Sequence, residues 1–292
     1  MDLAERLVNG LADENKRWTE NVATLGNESI TMIGNSLLSA AFVSYIGPFN
    51  AFFRERLWKQ SWLPDIVSKK IPFTEGVDPL YILANLSDQA MWKKEGLPAD
   101  RVSLENAAVF TSCSRWPLII DPQLQGIKWI RERVGSTLKV IQLNQKKFMN
   151  EVENAIQMGM TLLIEGAGQE IDATLDPLLS RSIIRRGKGQ FIKLGAEEID
   201  YDPKFKLFIQ TKLSNPHYKP ETAAQCTIIN FIVTESGLED QLLALVVQEE
   251  KPDLELTKSN LVKQQNEFMI ELARLEEELL NNLSNADPTT IL

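Results

Sequence analysis

Polar residues dominate the first stretch of the chain, Asp2 to about Val22, with leucines at Leu3, Leu7 and Leu11. An i, i+4, i+8 stripe is one narrow helical seam, and a seam that narrow suits pairing with a single partner helix. Gly26 and Asn27 read as an interruption. From Ile30 to Tyr45 the chain turns apolar through Leu37, Leu38, Ala40, Ala41, Phe42 and Val43, which predicts a separate buried helix closed by Gly47-Pro48. An aromatic helix from about Phe49 to Lys59 comes next. Residues 60–115 read as short elements broken by Pro64, Pro72, Pro79, Gly96 and Pro98.

The period then changes. Short apolar runs at Trp116–Asp121, Leu138–Leu143, Thr161–Glu165, Phe205–Thr211 and Thr227–Val233 have the length of buried strands. Between them lie helical patterns, one carrying Ile127, Trp129, Ile130 and Val134, the other Phe148, Val152 and Ile156. Strands alternating with helices predict an α/β fold whose parallel sheet is covered by helices on both faces. A small hairpin near Ser182–Leu194 interrupts the third-to-fourth strand connection.

The tail has a different character. It becomes helical from Leu238, and from Asp253 to Leu283 it is charged and glutamine-rich. Leu254, Leu261, Phe268 and Leu275 stand seven apart, and Lys258, Gln265, Leu272 and Leu279 follow each by four. Six of these eight positions are apolar, which predicts a coiled-coil arm with Leu254, Leu261, Phe268, Leu272, Leu275 and Leu279 as its contact residues. The turn signal Ser284-Asn285-Ala286-Asp287-Pro288 leads us to expect a returning partner helix, so the chain reads as a piece of something longer.

Composition narrows the function classes. Of 292 residues, 43% are hydrophobic and 24% charged, as in ordinary globular proteins. A net charge of −9 disfavours wrapping a phosphate backbone, so no nucleic-acid partner is expected. Cys113 and Cys226 lie far apart with no metal spacing, and the chain reads as intracellular. The lone His217 excludes a multi-histidine metal site, and no metal is expected. No apolar run approaches the length that spans a membrane. The six tryptophans read as packing residues, because no basic groove accompanies them.

The turn after the first strand invites comparison with the phosphate loop G-x-x-x-x-G-K-[ST], whose amides, lysine and hydroxyl hold phosphate and magnesium. Here Asp121 replaces the first glycine and Pro122 removes an amide. Gly126 is kept, Ile127 replaces the lysine and Lys128 the hydroxyl residue. A carboxylate at the mouth is expected to repel phosphate. A nucleotide hydrolase also wants two acids at a strand end. The third strand ends in Glu165-Gly166, so the second acid is missing, and Glu165 reads as a solvated strand-end carboxylate in preference to a magnesium ligand. Asn215 follows the fourth strand, where a polar side chain could touch a terminal phosphate. His217 beside it reads as a loop histidine. Arg181, Arg185 and Arg186, near Lys188, form a basic cluster that either reaches a neighbouring module or is a solvated hairpin face.

Four runs carry a resemblance: Ser44-Tyr45-Ile46-Gly47-Pro48-Phe49, the stretch Arg115 to Ile130, Thr211 to Tyr218, and Gly237 to Leu243. Together they resemble dynein heavy chains along essentially the whole length, and the form Leu124-Gln125-Gly126-Ile127-Lys128-Trp129 is similar to axonemal members. The resemblance implies the fifth AAA+ module of a motor ring. Residues 1–45 would be a stalk-base helix and connecting helix, and 46–237 an AAA+ large α/β subdomain. Residues 238–292 would be the small helical part and the first arm of the buttress that braces the stalk. It implies that this module does not catalyse and needs no cofactor, ATP and magnesium acting elsewhere in the full motor. It further implies partners in the neighbouring AAA+ modules and stalk of the same heavy chain, microtubules indirectly, and intermediate and light chains. The implied location is the cytoplasm, the cytoskeleton and the cilium axoneme. Two alternatives follow from the residues: an ATP-binding regulatory module with an unusual phosphate loop, and a free-standing coiled-coil adaptor.

Overall fold

The structure, a computed structural model, describes residues 12–285 apart from Asn144, Lys146, Lys188 and Ala196. Leu3, Leu7 and Leu11 of the first seam lie outside the described residues. The first element, α1 (Ala12–Tyr45), is one unbroken helix of 34 residues. The expected interruption at Gly26 does not occur. A single glycine weakens a helix by about 1 kcal/mol without ending it, and no proline stands nearby. Its C-terminal end is anchored by Leu38, Phe42 and Ile46, all buried.

Next, α2 (Ala51–Glu55) runs through a π-helical segment, Arg56–Trp62, into α3 (Leu63–Ser68). Pro64, read above as a breaker, sits in the first turn of α3, where its missing N–H is harmless. After α4 (Pro79–Leu83) and α5 (Leu86–Lys94) comes α6 (Arg101–Ser112). This last helix hides within what reads as a patchwork. Asp100 caps it by accepting from the Ser103 N–H at 3.0 Å. Every residue from Val102 to Phe110 is buried. A helix enclosed on all sides shows no amphipathic stripe, which is why its pattern was weak.

The sheet carries the five expected strands: β1 (Trp116–Ile120), β2 (Leu138–Gln142), β3 (Thr161–Glu165), β7 (Lys206–Thr211) and β8 (Cys226–Asn230). They lie in the order β2-β3-β7-β1-β8, and every pairing is parallel. Helices α7 (Gln125–Val134) and α8 (Phe148–Gln157) follow β1 and β2. Alternate strand residues feed two cores. Ile119, Leu163, Phe208 and Ile229 pack with α1, α6 and Trp129 on one face. Leu118, Leu162, Ile164, Leu207 and Ile209 pack with Val152, Ala155 and Ile156 of α8 on the other. The period-two side-chain alternation thus sorts the strands' residues between two apolar layers.

The inserted hairpin is a three-stranded antiparallel sheet of β4 (Ile183–Arg186), β5 (Gly189–Leu194) and β6 (Glu197–Asp200). The third strand escaped sequence reading because Glu197-Glu198-Ile199-Asp200 has one apolar residue and no alternation. The short α9 (Asp176–Leu179) precedes this sheet and α10 (Pro220–Gln225) precedes β8. The chain continues in α11 (Glu235–Glu250) and α12 (Pro252–Asn285), the latter again 34 residues long. The α12 arm lies along α5 and α11. No described helix is long and apolar enough to cross a membrane.

Candidate functional site

In a parallel α/β sheet, ligands bind outside the carboxyl ends of the strands. The register gathers those ends here: Ile120 pairs with Thr211 and with Asn230, and Ile164 pairs with Ile209. Asp121, Glu165, Gly166, Gln210 and Phe231 therefore converge at one edge. A cavity of about 760 Å³ opens at the opposite edge beside Trp116, Thr161 and Lys206. We place the candidate site by the strand ends, because the motif residues stand there.

Asp121 corrects the sequence expectation. Its carboxylate is not at the mouth; the residue is wholly buried, at 0% exposure. It turns inward onto the first turn of α7. One oxygen accepts from the Gln125 N–H at 3.0 Å and the other from the Ile127 N–H at 2.9 Å. The amides of Gly126 and Leu124 also act on it. These are the donors that a phosphate loop offers to phosphate. Burial pushes the Asp121 carboxyl above the usual carboxylate range, against the opposing pull of these amides. Leu124 takes the left-handed conformation, φ 60°, which is unfavourable for a branched residue and persists only because its surroundings enforce it.

Gly126 and Ile127 are buried, whereas Lys128 is exposed. A side chain on Gly126 would meet the Phe231 ring, with its Cβ 2.8 Å from Cγ. Phe231 follows β8, and its N–H donates to Ile120 O at 2.8 Å. The ring is itself buried, part of the apolar core with Ile127, Trp129 and Ile130 of α7.

Glu165 is not the solvated carboxylate that the sequence suggests. Its side chain is 16% exposed and pairs with Arg131 of α7. An acid already neutralised by arginine is a poor magnesium ligand. Gln210, wholly buried, completes the arrangement. Its amide donates to Asp121 O at 3.1 Å, and its carbonyl oxygen accepts from the Gly166 N–H at 3.0 Å. Thr211 Oγ1 donates to Ala167 O at 2.7 Å. No sequence pattern marks Arg131, Gln210 or Phe231 as functional. Only the motif comparison could have flagged Gln210, by its place at the end of the fourth strand.

Asn215 and His217 are exposed and line a separate cavity of about 290 Å³ with Ser214, Tyr218 and Pro48. They do not join the Asp121 cluster. The three arginines of the hairpin region do not act together. The Arg181 guanidinium stacks on Trp116 at 3.8 Å, Arg186 pairs with Glu198 at 3.0 Å, and Arg185 is exposed. Both cysteines are free; burial pushes the Cys226 thiol up to about 12 and the Cys113 thiol up to about 11. A thiol protonated at neutral pH is a weak nucleophile.

A second polar cluster ties the Gly47-Pro48 segment to the sheet. Arg54 is 1% exposed. Its guanidinium donates to Glu105 Oε2 at 3.2 Å, Asn106 Oδ1 at 2.6 Å, Gly47 O at 3.0 Å and Phe49 O at 2.7 Å. Asn106 donates onward to Asn230 O at 2.7 Å, and the Asn230 N–H donates to Gly47 O at 2.9 Å. A Cβ at Gly47 would lie 2.1 Å from Ile228 O, so this close approach requires glycine.

On the arm, Leu261, Phe268, Leu272 and Leu275 are exposed and Leu279 is half-buried. The side chain of Leu254 lies outside the described residues. Near its C-terminal end, Glu276 accepts from Arg17 of α1 at 3.1 Å.

The strand order, the turn after β1 and the acid that ends β3 define an AAA+-type module whose phosphate turn is occupied by the chain's own Asp121. Residues 90–292 match the family described as the ATP-binding dynein motor region, and residues 1–66 match the microtubule-binding stalk of dynein motor. The chain is 54% identical over 98% of its length to the ciliary dynein beta chain of Tripneustes gratilla. It is 53% identical over 97% to human dynein axonemal heavy chain 17, and 50% identical over 97% to the flagellar outer arm dynein beta chain of Chlamydomonas reinhardtii. It covers about 6% of the length of each of these relatives. The chain belongs to the axonemal dynein heavy chain family, and it comprises motor-ring and stalk sequence of that family.

Proposed function

We propose that this chain is a non-hydrolysing module of an axonemal dynein ring, the fifth, working in the cilium axoneme. It would relay conformational change driven by ATP and magnesium elsewhere in the heavy chain to the microtubule-binding stalk, in minus-end-directed motility. Residues 1–45 would form the stalk base and connecting helix. Residues 46–237 would form the AAA+ large subdomain, and 238–292 the small helical part and first buttress arm. Neighbouring modules, the stalk, and intermediate and light chains would be partners of the full motor, with microtubules engaged indirectly.

The observation that carries the relay is the Arg17–Glu276 pair, 3.1 Å long between residues 259 apart in sequence. It joins the helix matched to the stalk with the arm. Both side chains are nearly half exposed, so the pair adds little stability. Its value lies in marking where two stiff rods rooted in one module touch. A displacement of the module moves both rods, and a contact between them converts that movement into sliding. The alternative of an ATP-binding module needs free amides in a turn whose Gln125 and Ile127 N–H groups already donate to Asp121.

Charge reversal tests the contact in the intact heavy chain. Arg17→Glu or Glu276→Arg alone should weaken the coupling between microtubule affinity and ATPase rate by about twofold to fivefold, as expected for an exposed pair. The double exchange should restore it. Failure of the double variant to recover coupling would exclude this contact as the point of relay.

A further inference from the structure

We propose that Asp121 is a built-in anionic ligand, its carboxylate standing in for bound phosphate in the amide nest of residues 124–127. This inference rests on the proposed nucleotide-free role and gives that role a physical device. A nest of unpaired amides at a helix N-terminus is unsatisfied unless an anion or water occupies it. In a nucleotide-binding module that anion arrives and leaves, and the turn responds. Here the anion is covalently part of the chain. Each of its two oxygens takes a separate amide, from Gln125 and Ile127.

The backbone around the carboxylate is fastened as well. The Asp121 N–H donates to Thr211 O at 3.0 Å, and Asp121 O accepts from Gln210 at 3.1 Å. Gln210 in turn holds Gly166 at the end of β3. One residue therefore ties together the turn, β7 and the loop after β3, the three places whose relative movement would otherwise follow nucleotide state. On the core side, the buried Phe231 ring packs against Gly126 and leaves no room for a side chain there. Leu124, in the left-handed conformation, closes the turn on itself, its N–H donating to Asp121 O at 3.4 Å. Asp121 is in this sense a positioning residue, holding the ring module permanently in one conformation so that it transmits movement without making its own.

Amide hydrogen exchange on the intact heavy chain, read on peptides covering residues 121–130, tests this. In the wild type these amides should be protected, and neither inorganic phosphate nor MgATP should change them. In Asp121→Ala they should exchange at least about tenfold faster, reflecting lost hydrogen bonds to a charged acceptor. Millimolar inorganic phosphate, but not chloride at equal ionic strength, should slow them again. Should the alanine variant fail to fold, Asp121→Asn keeps the volume while only one of its two terminal atoms can accept, and its amides should still exchange several-fold faster. Wild-type protection in either variant, or faster exchange in Asp121→Ala that phosphate does not reverse, would overturn the inference while leaving the nucleotide-free role standing. Slowing of these amides by MgATP in the wild type would overturn both.

Discussion

Gly126 holds together the two halves of the candidate site. It is the one glycine retained from the phosphate-loop pattern, yet its contact is with Phe231 and not with an empty space for phosphate. Overpacking a closed core site typically costs about 1–3 kcal/mol. Gly126→Ala should therefore lower the unfolding free energy from urea titration by an amount within that range, and Gly126→Ala with Phe231→Leu should recover most of it. Unchanged stability in the single variant would mean that the ring is free to move aside. The substitution pattern at this turn was legible in the sequence, including Asp121, Ile127 and Lys128 at the wrong places. The direction in which Asp121 points was not, because a carboxylate at that position can face solvent or its own helix, and only the closed turn decides between the two.

Among the elements, α2, α6 and β8 are joined by the buried Arg54 cluster. Removing one partner of a buried ion pair leaves the other charge uncompensated, at a cost of about 3–5 kcal/mol. Burial already lowers the pKa of the Arg54 guanidinium despite the nearby Glu105 carboxylate. Glu105 also pairs with the half-exposed Arg101 at 2.8 Å, so Arg54→Met should lose at most that much in a denaturant titration, and Arg54→Met with Glu105→Met should lose clearly less. If the double variant is as unstable as the single, the ion pair is not what the cluster depends on. The sequence pattern does not show this cluster, because Arg54 and Glu105 are 51 residues apart and each is ordinary in its own helix. It likewise split α1 at Gly26, where local propensity argues for a break and the docking of Leu38, Phe42 and Ile46 fixes only the far end.

Across the molecule, the arm presents Leu261 at 61% and Phe268 at 72% exposure. Exposed side chains contribute little to the stability of the chain that carries them. Leu261→Gln and Phe268→Gln should thus leave unfolding within about 0.5 kcal/mol of the wild type. In the intact heavy chain the same pair should uncouple ATPase rate from microtubule affinity; a motor that kept normal coupling would refute the strut role of this arm. The alternation of apolar runs and helical patterns was enough to specify five buried strands and their helices, since burial on both faces demands continuous apolar runs. The heptad spacing was enough to specify a long helix with a seam. Neither could specify which strand ends become neighbours, because the order β2-β3-β7-β1-β8 depends on crossovers that leave no local trace. Hydrophobic periodicity is a property of neighbours along the chain. The packing of Phe231 against Gly126, the pairing of Glu165 with Arg131 and the meeting of Arg17 with Glu276 are properties of residues brought together across it, and they exist once packing has closed the distances between them.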